Sequence, residues 1–558
     1  MLLAPLVLGA FALFALGFWF YSKLAARTYG LDDARTTPAH EQADGVDYVP
    51  TPWPVLLAQH FAAISAAGPV VGPILAGSMF GWGPALFWIV FGAIVIGAVH
   101  DFSALVASVR HKARSIPEVV KEHVGPPAYW ILVTFIWLSL MYVVVAFVDV
   151  TARQFTVASI PGSTAHGGAV ASSSVMYLGI ALAMGVAMEK FRLGLTKATL
   201  IFVPLLFGAV WAGQHLAFPT DLGASLGLQP GRTWSALILV YCGVASVLPM
   251  WALLQPRGYL GGVFLYVILL SGALGMMFGG FTVQYPAFIG FTSAQGLSLF
   301  PFLFVTIACG ACSGFHGLVA SGTTSKQVSC ESHTRTVGYG AMLLEGVIAV
   351  TALATVMVIP AGEAKGDQTV LFAQGLAKFI GVFGVDPSFG VAFGMLAFAT
   401  FVFDTIDVAT RMGRYLLEEL LGWAHRRILA TLLTLAVPAL YLVFMPEATD
   451  DTGKVIPAWR VIWTVFGAAN QLLAGLSLLA IVAWLVAERR KIGYLVLPMV
   501  FMLVVTAWAL AVMTKPFFAW VGAGGAFTVA ATNGLVAVLL LGLGGVFVGL
   551  VLRRLRRA

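Results

Sequence analysis

Charged residues are scarce in this sequence: they make up 10% of its 558 residues, whereas hydrophobic residues make up 60%. Soluble domains carry about 25% charged and roughly 45–50% apolar residues, so this composition excludes a soluble globular protein. Four cysteines in so long a chain exclude a disulfide scaffold, and the abundance of apolar residues excludes a disordered chain. The sequence also lacks a Walker motif, a dinucleotide-binding fingerprint and a metalloprotease motif.

What the chain has instead are apolar runs, which recur from end to end and are long enough to cross ~30 Å of hydrocarbon as helices. Their polarity does not alternate, so they do not predict the strands of a membrane barrel. They predict an all-α, polytopic integral membrane protein with about 15 transmembrane helices. The predicted spans are 3–22, 55–79, 83–106, 128–148, 172–188, 198–217, 234–254, 260–280, 301–321, 339–360, 388–408, 428–445, 461–485, 493–513 and 526–552.

The placement of basic residues supports this topology. All 31 Lys and Arg lie outside the predicted spans. If the N-terminus is outside, 24 of them fall in cytoplasmic connections and 7 in outer ones, as the positive-inside rule requires. The net charge of +7 therefore indicates a lipid bilayer as the partner and not a nucleic acid. Residues 1–22 lack the basic leader and cleavage site of a secretory signal, which predicts a retained first helix.

Two of the predicted spans contain helix breakers. The second span carries GPVVGP at 68–73, two Gly-Pro pairs that a continuous helix would not accommodate. The seventh span carries small residues at 242–246 followed by Pro249. Unwound backbone at membrane depth is tolerated where it is buried in protein or lines a cavity. Simple proline kinks are the alternative interpretation of both segments.

The spacing of these breaks predicts a five-plus-five inverted repeat, in which the first helix of each repeat is discontinuous. The expected domains are an extra N-terminal helix at 1–22, a first repeat at 55–217, a second repeat at 234–408 and four additional C-terminal helices at 428–552. The amino ends of half-helices carry partial positive charge, so we expect them to hold an anionic group. The residues predicted to bind substrate are Gly68, Val70, Gly72 and Ser246, with Ser313, Ser321 and Thr323 on the opposing wall.

Ionisable residues inside the predicted spans are the candidates for ion coupling, because each is costly at membrane depth. Of these residues we select His60, Asp101, His316, Asp404 and Asp407 as candidates. An ion-paired cap near the interface or a simple helix–helix hydrogen bond is the structural alternative. His100 is adjacent to Asp101 but is expected to point elsewhere on the helix.

Cys309, Cys312 and His316 have the spacing of metal ligands, yet no clear fourth ligand lies at membrane depth. We therefore predict neither a metal site nor a cofactor. No combination of nucleophile, base and acid stands out, so the chain is not expected to be an enzyme. Without a nucleotide site, the remaining energy source is an ion gradient, which favours a secondary transporter.

Several segments resemble the carbon-starvation protein (CstA) family. They are QHFAAISAAGPVVGPILA at 59–76, GAVHDF at 97–102, ACGACSGFHGLVASGTTSKQ at 308–327, FDTIDVATRMGRY at 403–415 and FGAANQLLAGLSL at 466–478. The resemblance implies uptake across the cell inner membrane of small peptides or, as in close relatives, of pyruvate together with protons. It also implies a relationship to the amino acid-polyamine-cation superfamily, which fits the inverted repeat. Gln59 and Ser325 depart from the family pattern, where a second histidine and a proline are frequent.

The sequence thus predicts a secondary transporter that imports a small carboxylate-bearing nutrient, a peptide or pyruvate, with protons by alternating access. Three alternatives remain open: a sodium-coupled symporter of the same substrates, a channel and a membrane-embedded sensor. A channel would pass substrate faster than any alternating-access cycle, and a sensor usually carries a cytoplasmic output domain.

Overall fold

The computed structural model describes residues 1–44, 48–160, 163–249, 251–363, 366–423, 426–445, 448–449, 455–523 and 528–556. In this part of the chain the regular secondary structure is helical, apart from the two-residue strands β1 (Ala448–Thr449) and β2 (Val455–Ile456), which pair antiparallel. The helices of the first half are α1 Leu3–Leu16, α2 Ser22–Tyr29, α3 Pro38–Glu41, α4 Trp53–Ile64, α5 Gly68–Phe80, α6 Trp82–Gly92, α7 Ala98–Arg110, α8 Ile116–His123, α9 Pro126–Phe155, α10 Gly167–Lys190, α11 Leu195–His215 and α12 Pro230–Val247.

The helices of the second half are α13 Leu254–Phe278, α14 Leu299–Thr306, α15 Gly314–Gly322, α16 Gly340–Met357, α17 Gln368–Gly381, α18 Pro387–Leu421, α19 Arg427–Ala439, α20 Ala458–Ala487, α21 Gly493–Met513, α22 Lys515–Ala523 and α23 Val529–Leu555. Short π-helical segments lie at Gly17–Tyr21, Ala93–Gly97, Arg335–Tyr339 and Leu440–Phe444, and 3-10 turns at Ala224–Leu226 and Thr324–Lys326.

Among the described residues, twelve helical segments are long and apolar enough to cross a membrane, or up to 13 if the bent pair α4 and α5 is counted as one span. The chain is therefore a multi-pass membrane protein. Thirteen of the fifteen predicted spans correspond to these segments. The other two, 234–254 and 301–321, do not: α12 is 18 residues long but is not among the sufficiently apolar helices, and the second is divided into the short helices α14 and α15.

The second span is broken, but not where the two Gly-Pro pairs suggested. Helix α4 ends at Ile64, residues 65–67 are non-helical, and α5 begins at Gly68 with a bend of 50° between the two helices. The expectation of unwound backbone at 68–73 is therefore wrong. Pro69 lies in the first turn of α5, where an amide hydrogen has no helical acceptor and its absence costs little.

The seventh span does not contain a second half-helix. Helix α12 ends at Val247, and the next helix, α13, begins only at Leu254, so Pro249 lies in the connection between two different helices. The end of α12 is stabilised from outside, because Arg411 Nη2 donates to the carbonyls of Ala245 and Leu248 at 2.8 and 2.9 Å. The expectation that the seventh span is a discontinuous helix is therefore wrong. The inverted repeat and its domain boundaries remain predictions.

A second break does exist, in the ninth predicted span. Helix α14 ends at Thr306, α15 begins at Gly314, and residues 307–313 between them are non-helical. This break faces the first one. A Cβ atom added to Gly68 would overlap Cys309, and one added to Gly72 would lie 2.6 Å from the carbonyl oxygen of Thr306. Glycine at both positions lets the backbones of the two broken spans touch.

The apolar stretch 370–383 forms α17, which is too short to span and packs between α18, α13 and α16. Most α17 residues are buried against these neighbours. Helices α18 and α20 lie at the centre of the bundle, with 94% of their most apolar windows buried. The span that begins at Leu3, helix α11 and helix α23 are 28% buried by the same measure and form its periphery.

We predict that Gly467→Ala destabilises the protein, because a Cβ atom on this residue of α20 would overlap the carbonyl oxygen of Val305 in α14. Overpacking of this kind costs about 1–3 kcal/mol. Gly208→Ala in α11 is the matched control, since no atom of the described residues lies within 4 Å of its added Cβ. Thermal denaturation in detergent should show a lower Tm than the wild type for Gly467→Ala and no such drop for Gly208→Ala. Equal Tm values for the two variants would contradict the close approach of α20 and α14.

Candidate functional site

The first break, at residues 65–67, leaves polar groups without partners. Within the described part of the chain, no hydrogen bond is made by the amides of Ala66 and Ala67 or by the buried Ser65 Oγ. His60, one turn before the break, donates or accepts at Nδ1 with Thr324 Oγ1 at 2.9 Å, while its Nε2 makes no hydrogen bond to a described residue. The donors of Ser65, Ala66 and Ala67 lie at the amino end of α5, where the helix dipole favours negative charge.

The second break, at residues 307–313, is held in place by side chains of other helices. Trp463 Nε1 donates to Thr306 O at 3.1 Å, and Trp88 Nε1 donates to Ile307 O at 3.2 Å. Gln471 Nε2 donates to Phe304 O at 3.0 Å and to Ile307 O at 3.3 Å. The carbonyls that the end of α14 leaves without helical donors are thus satisfied at membrane depth, as the bilayer requires.

Asn470 of α20 supplies the cap at the start of α15. Its Oδ1 accepts from the amide of Phe315 at 2.9 Å, and its Nδ2 donates to Ser313 Oγ at 3.0 Å. The same Nδ2 lies 3.4 Å from Cys309 Sγ. Ser313 occupies the N-cap position of α15 but makes no capping bond itself. An amide from a neighbouring helix therefore replaces the usual local cap.

Beside the two breaks lies a group of fully buried ionisable residues, which we call the histidine–carboxylate cluster: His60, His100, Asp101, His316 and Glu345. Asp101 Oδ2 is 2.8 Å from His316 Nδ1, and Asp101 Oδ1 is 2.8 Å from His100 Nδ1. The expectation that His100 points away from Asp101 is wrong, because the imidazole folds back onto the neighbouring carboxylate. The histidines occur on α4, α7 and α15, so three helices meet at this cluster.

Glu345 of α16 completes the cluster. Its Oε2 lies 3.2 Å from His316 Nε2, so both nitrogens of His316 face a carboxylate. Since His316 also lies in the first turn of α15 beside the second break, a proton on its ring would join Asp101 and Glu345 through one imidazolium.

A second set of buried charges, the arginine–aspartate cluster, consists of Arg257, Asp404, Asp407 and Tyr241. Arg257 Nε donates to Asp404 Oδ1 at 2.7 Å, and Arg257 Nη1 donates to Asp407 Oδ2. Tyr241 OH donates to the same Oδ2 at 2.7 Å. Arg257 is completely buried. The structure therefore separates the predicted coupling residues into two groups, with His60, Asp101 and His316 in one and Asp404 and Asp407 in the other.

The predicted substrate-binding residues are also divided. Gly68, Val70 and Gly72 lie in the first turns of α5, and Gly68 and Gly72 face residues 306–309 of the second break. Ser246 does not oppose them: its Oγ lies 3.4 Å from Thr431 Oγ1 on α19. Ser321 and Thr323 follow on α15 and its C-cap, where their hydroxyls donate to Gly317 O and Val319 O of the same helix.

Sequence reasoning missed three of the residues that build these sites. Glu345 is an acid within an otherwise apolar predicted span, and an ionisable residue in such a place is a functional candidate in its own right. Asn470 lies in the quoted segment 466–478, where two amides interrupt an apolar run. Arg257 lies just before the predicted eighth span, 260–280, whereas α13 begins at Leu254 and includes it.

We predict that Asn470→Ala lowers the stability of the protein, because the buried amide of Phe315 would lose its acceptor. An unsatisfied buried donor costs about 1–3 kcal/mol. Ser477→Ala, a buried polar-to-alanine change two turns along the same helix, is the control and is expected to have a smaller effect. The measurement is the Tm in detergent. A drop in Tm for Ser477→Ala as large as that for Asn470→Ala would refute the capping role.

A helical bundle that unwinds at two facing points, beside ionisable groups sealed from solvent, has the architecture of a membrane transport protein. The comparison with known proteins makes the class specific. The family model described as carbon starvation protein CstA matches residues 3–368 and 363–509. The chain belongs to the CstA family, as its quoted segments indicated, and it is a transporter and not an enzyme.

Among its relatives, the peptide transporter CstA of Helicobacter pylori strain J99 is 32% identical over 91% of this chain and 82% of the relative. The pyruvate/proton symporter BtsT of Escherichia coli strain K12 is 30% identical over 90% of this chain and 81% of the relative. Among solved structures, a manganese transporter of Eremococcus coleocola superposes with a TM-score of 0.44 at 15% identity, covering 92% of this chain and 99% of that one.

Proposed function

We propose that this protein imports a small carboxylate-bearing nutrient, a peptide or pyruvate, together with protons across the cell inner membrane by alternating access. Two relatives are named a peptide transporter and a pyruvate/proton symporter, and these substrates share a carboxylate. The observation that carries the proposal is the position of the histidine–carboxylate cluster, fully buried and directly beside two facing helix breaks.

The proton enters the proposal through charge balance in the cluster. Asp101 and Glu345 both face His316 and are completely buried. Uncompensated charge in such a place is expensive, so each conformational state favours one protonation state of the group. A proton that binds from one side of the membrane and leaves toward the other would then drive the conformational cycle. In this scheme His60, Asp101 and His316 carry the coupling proton with Glu345.

The substrate carboxylate is assigned to the first break. The amides of Ala66 and Ala67 and the hydroxyl of Ser65 are donors without partners among the described residues, and they precede the first turn of α5. Gly68, Val70 and Gly72 line this turn, with Ser313, Ser321 and Thr323 on the opposing side. Since Gly68 and Gly72 touch residues 306–309, substrate entry requires the two breaks to separate. Alternating access supplies that movement.

The proposal is tested by uptake of labelled pyruvate and of a labelled dipeptide into proteoliposomes. We expect an inward proton gradient to drive accumulation of at least one of them, whereas a sodium gradient alone would not. Accumulation driven by sodium and indifferent to pH would replace protons by sodium as the coupling ion. Flux that never accumulates substrate against its gradient would instead favour a channel.

We predict that Asp101→Asn abolishes accumulation driven by the proton gradient, because the amide cannot take up the coupling proton. Exchange of internal for external substrate needs no net proton movement, so exchange should persist. Glu118→Gln, in α8 outside the spans, is the matched acid-to-amide control and should keep both activities. If Asp101→Asn accumulated substrate like the wild type, the histidine–carboxylate cluster would not be the coupling site.

A further inference from the structure

The arginine–aspartate cluster contains a buried cation whose hydrogen-bonding capacity is not filled. Arg257 donates through Nε to Asp404 and through Nη1 to Asp407, but its Nη2 makes no hydrogen bond to any described residue. Asp407 Oδ1 is likewise without a partner in the described ranges. Buried polar atoms are nearly always satisfied, so two unpaired atoms on one charged cluster indicate a place that another polar group can occupy.

The two aspartates bind the guanidinium of Arg257 in the way that the carboxylate of a substrate would bind it. A guanidinium presents several donors in a planar fork, which suits carboxylates, and here separate carboxylates occupy two of its nitrogens. Gly261, one turn further along α13, makes room for this: a Cβ there would lie 2.7 Å from Asp404 Oδ2. The side chains of α18 therefore stand in the position of a ligand.

The charges around the cluster can be counted from the elements that pack against it. Helix α18 contributes Asp404, Asp407 and Arg411, and α13 contributes Arg257. The uncharged titratable groups are Tyr241 and Cys242 on α12, the latter close enough to Asp407 to sense its charge, and Tyr177 on α10, whose hydroxyl donates to Arg257 O at 2.7 Å. Two arginines and two ionised aspartates give a formal charge of zero. Adding one substrate carboxylate keeps that balance only if one proton is added with it.

From this geometry we propose that Arg257 is a second carboxylate-binding site for the transported nutrient. Asp404 or Asp407 must accept a proton to free the guanidinium of Arg257 for the substrate. A protonated aspartate gives up its ionic hold on the guanidinium, and the substrate carboxylate takes its place. In this scheme the proton taken up at Asp404 or Asp407 is the same coupling proton that the histidine–carboxylate cluster holds in the other conformational state. One proton therefore enters with one carboxylate, and transport of a monocarboxylate is electroneutral. This inference rests on the proposed function and names the residues and the stoichiometry.

The two clusters are linked by α4. Gly262, five residues after Arg257, packs against Ala58 and Ala62 of α4, where an added Cβ would lie 3.4 Å from Ala58 O. His60 lies between these alanines in sequence, about 200° around the helix from each, and contacts Thr324 on the far side. Because α4 carries His60 and packs against α13, the helix that carries Arg257, it can convey a change at Arg257 to the first break.

The test is binding of labelled pyruvate to the full-length protein in detergent, between roughly pH 6 and roughly pH 8. Wild-type affinity should fall as pH rises, because fewer aspartates are protonated. Asp407→Asn imitates the protonated state, so its affinity should change less with pH and should stay high at the upper end. Arg257→Gln should lose roughly 10- to 100-fold in affinity, as expected for a lost charge-assisted hydrogen bond, and Arg257→Lys should recover part of it.

Controls separate this inference from folding defects and from the proposed function. Arg257→Gln leaves two carboxylates unpaired, so the triple variant Arg257→Gln, Asp404→Asn, Asp407→Asn, in which the guanidinium and both carboxylates are neutralised together, serves as its companion. Both variants are checked by gel filtration and Tm. Glu122→Gln, an exposed carboxylate outside the spans, should bind as the wild type does. If a folded triple variant bound pyruvate with wild-type affinity and pH dependence, Arg257 would not be a substrate site. The proposed function would survive that outcome, since it stands on proton-driven uptake by the wild type.

A stoichiometry measurement gives an independent check. In proteoliposomes, pyruvate uptake with one proton moves no net charge, so an imposed membrane potential should leave its initial rate unchanged. A rate that rises with an inside-negative potential would mean that more than one proton enters per carboxylate, and would overturn the one-for-one exchange at Arg257.

Discussion

The structure depends on one constraint: backbone that leaves the helix inside a membrane must find polar partners within the protein. At the second break these partners come from other helices, with Trp88, Trp463 and Gln471 on its carbonyls and Asn470 on the first turn of α15. At the first break the corresponding donors have no partner among the described residues. One break is therefore fixed in place, and the other has binding capacity to offer.

The same constraint governs charge. Both groups of ionisable residues are enclosed, and within each of them carboxylates lie against basic side chains. Ion pairs in a dry interior recover only part of the desolvation cost, so they are weak evidence for stability. A more informative property of these ion pairs is that the net charge of each buried cluster changes when one proton is gained or lost. The proposed function uses this property to join substrate movement to a proton gradient.

Hydropathy located most of the helices of this protein but not the helix breaks within them. Apolar runs located thirteen of the fifteen predicted spans, because hydrocarbon selects long stretches of similar polarity. They failed at 301–321, where small and polar residues such as Ser313 and His316 divide the run into two half-helices. The predicted eighth span begins at residue 260, whereas α13 begins at Leu254, so Arg257 fell outside the prediction. The position of the first break was wrong by a few residues, because proline is accommodated inside the first turn of α5.

By itself, the sequence determined that this is an all-α membrane protein, that several ionisable residues such as Asp101 and His316 lie within apolar spans and, through its characteristic segments, the family. Only the tertiary structure decided which of those residues meet. Asp101 and His316 are 215 positions apart, and Arg257 and Asp404 are 147 apart. Hydropathy is a property of each segment alone and acts over one helix length. The pairing of charges depends on which helix faces adjoin, and the close packing that glycines such as Gly68 and Gly261 permit contributes to that choice.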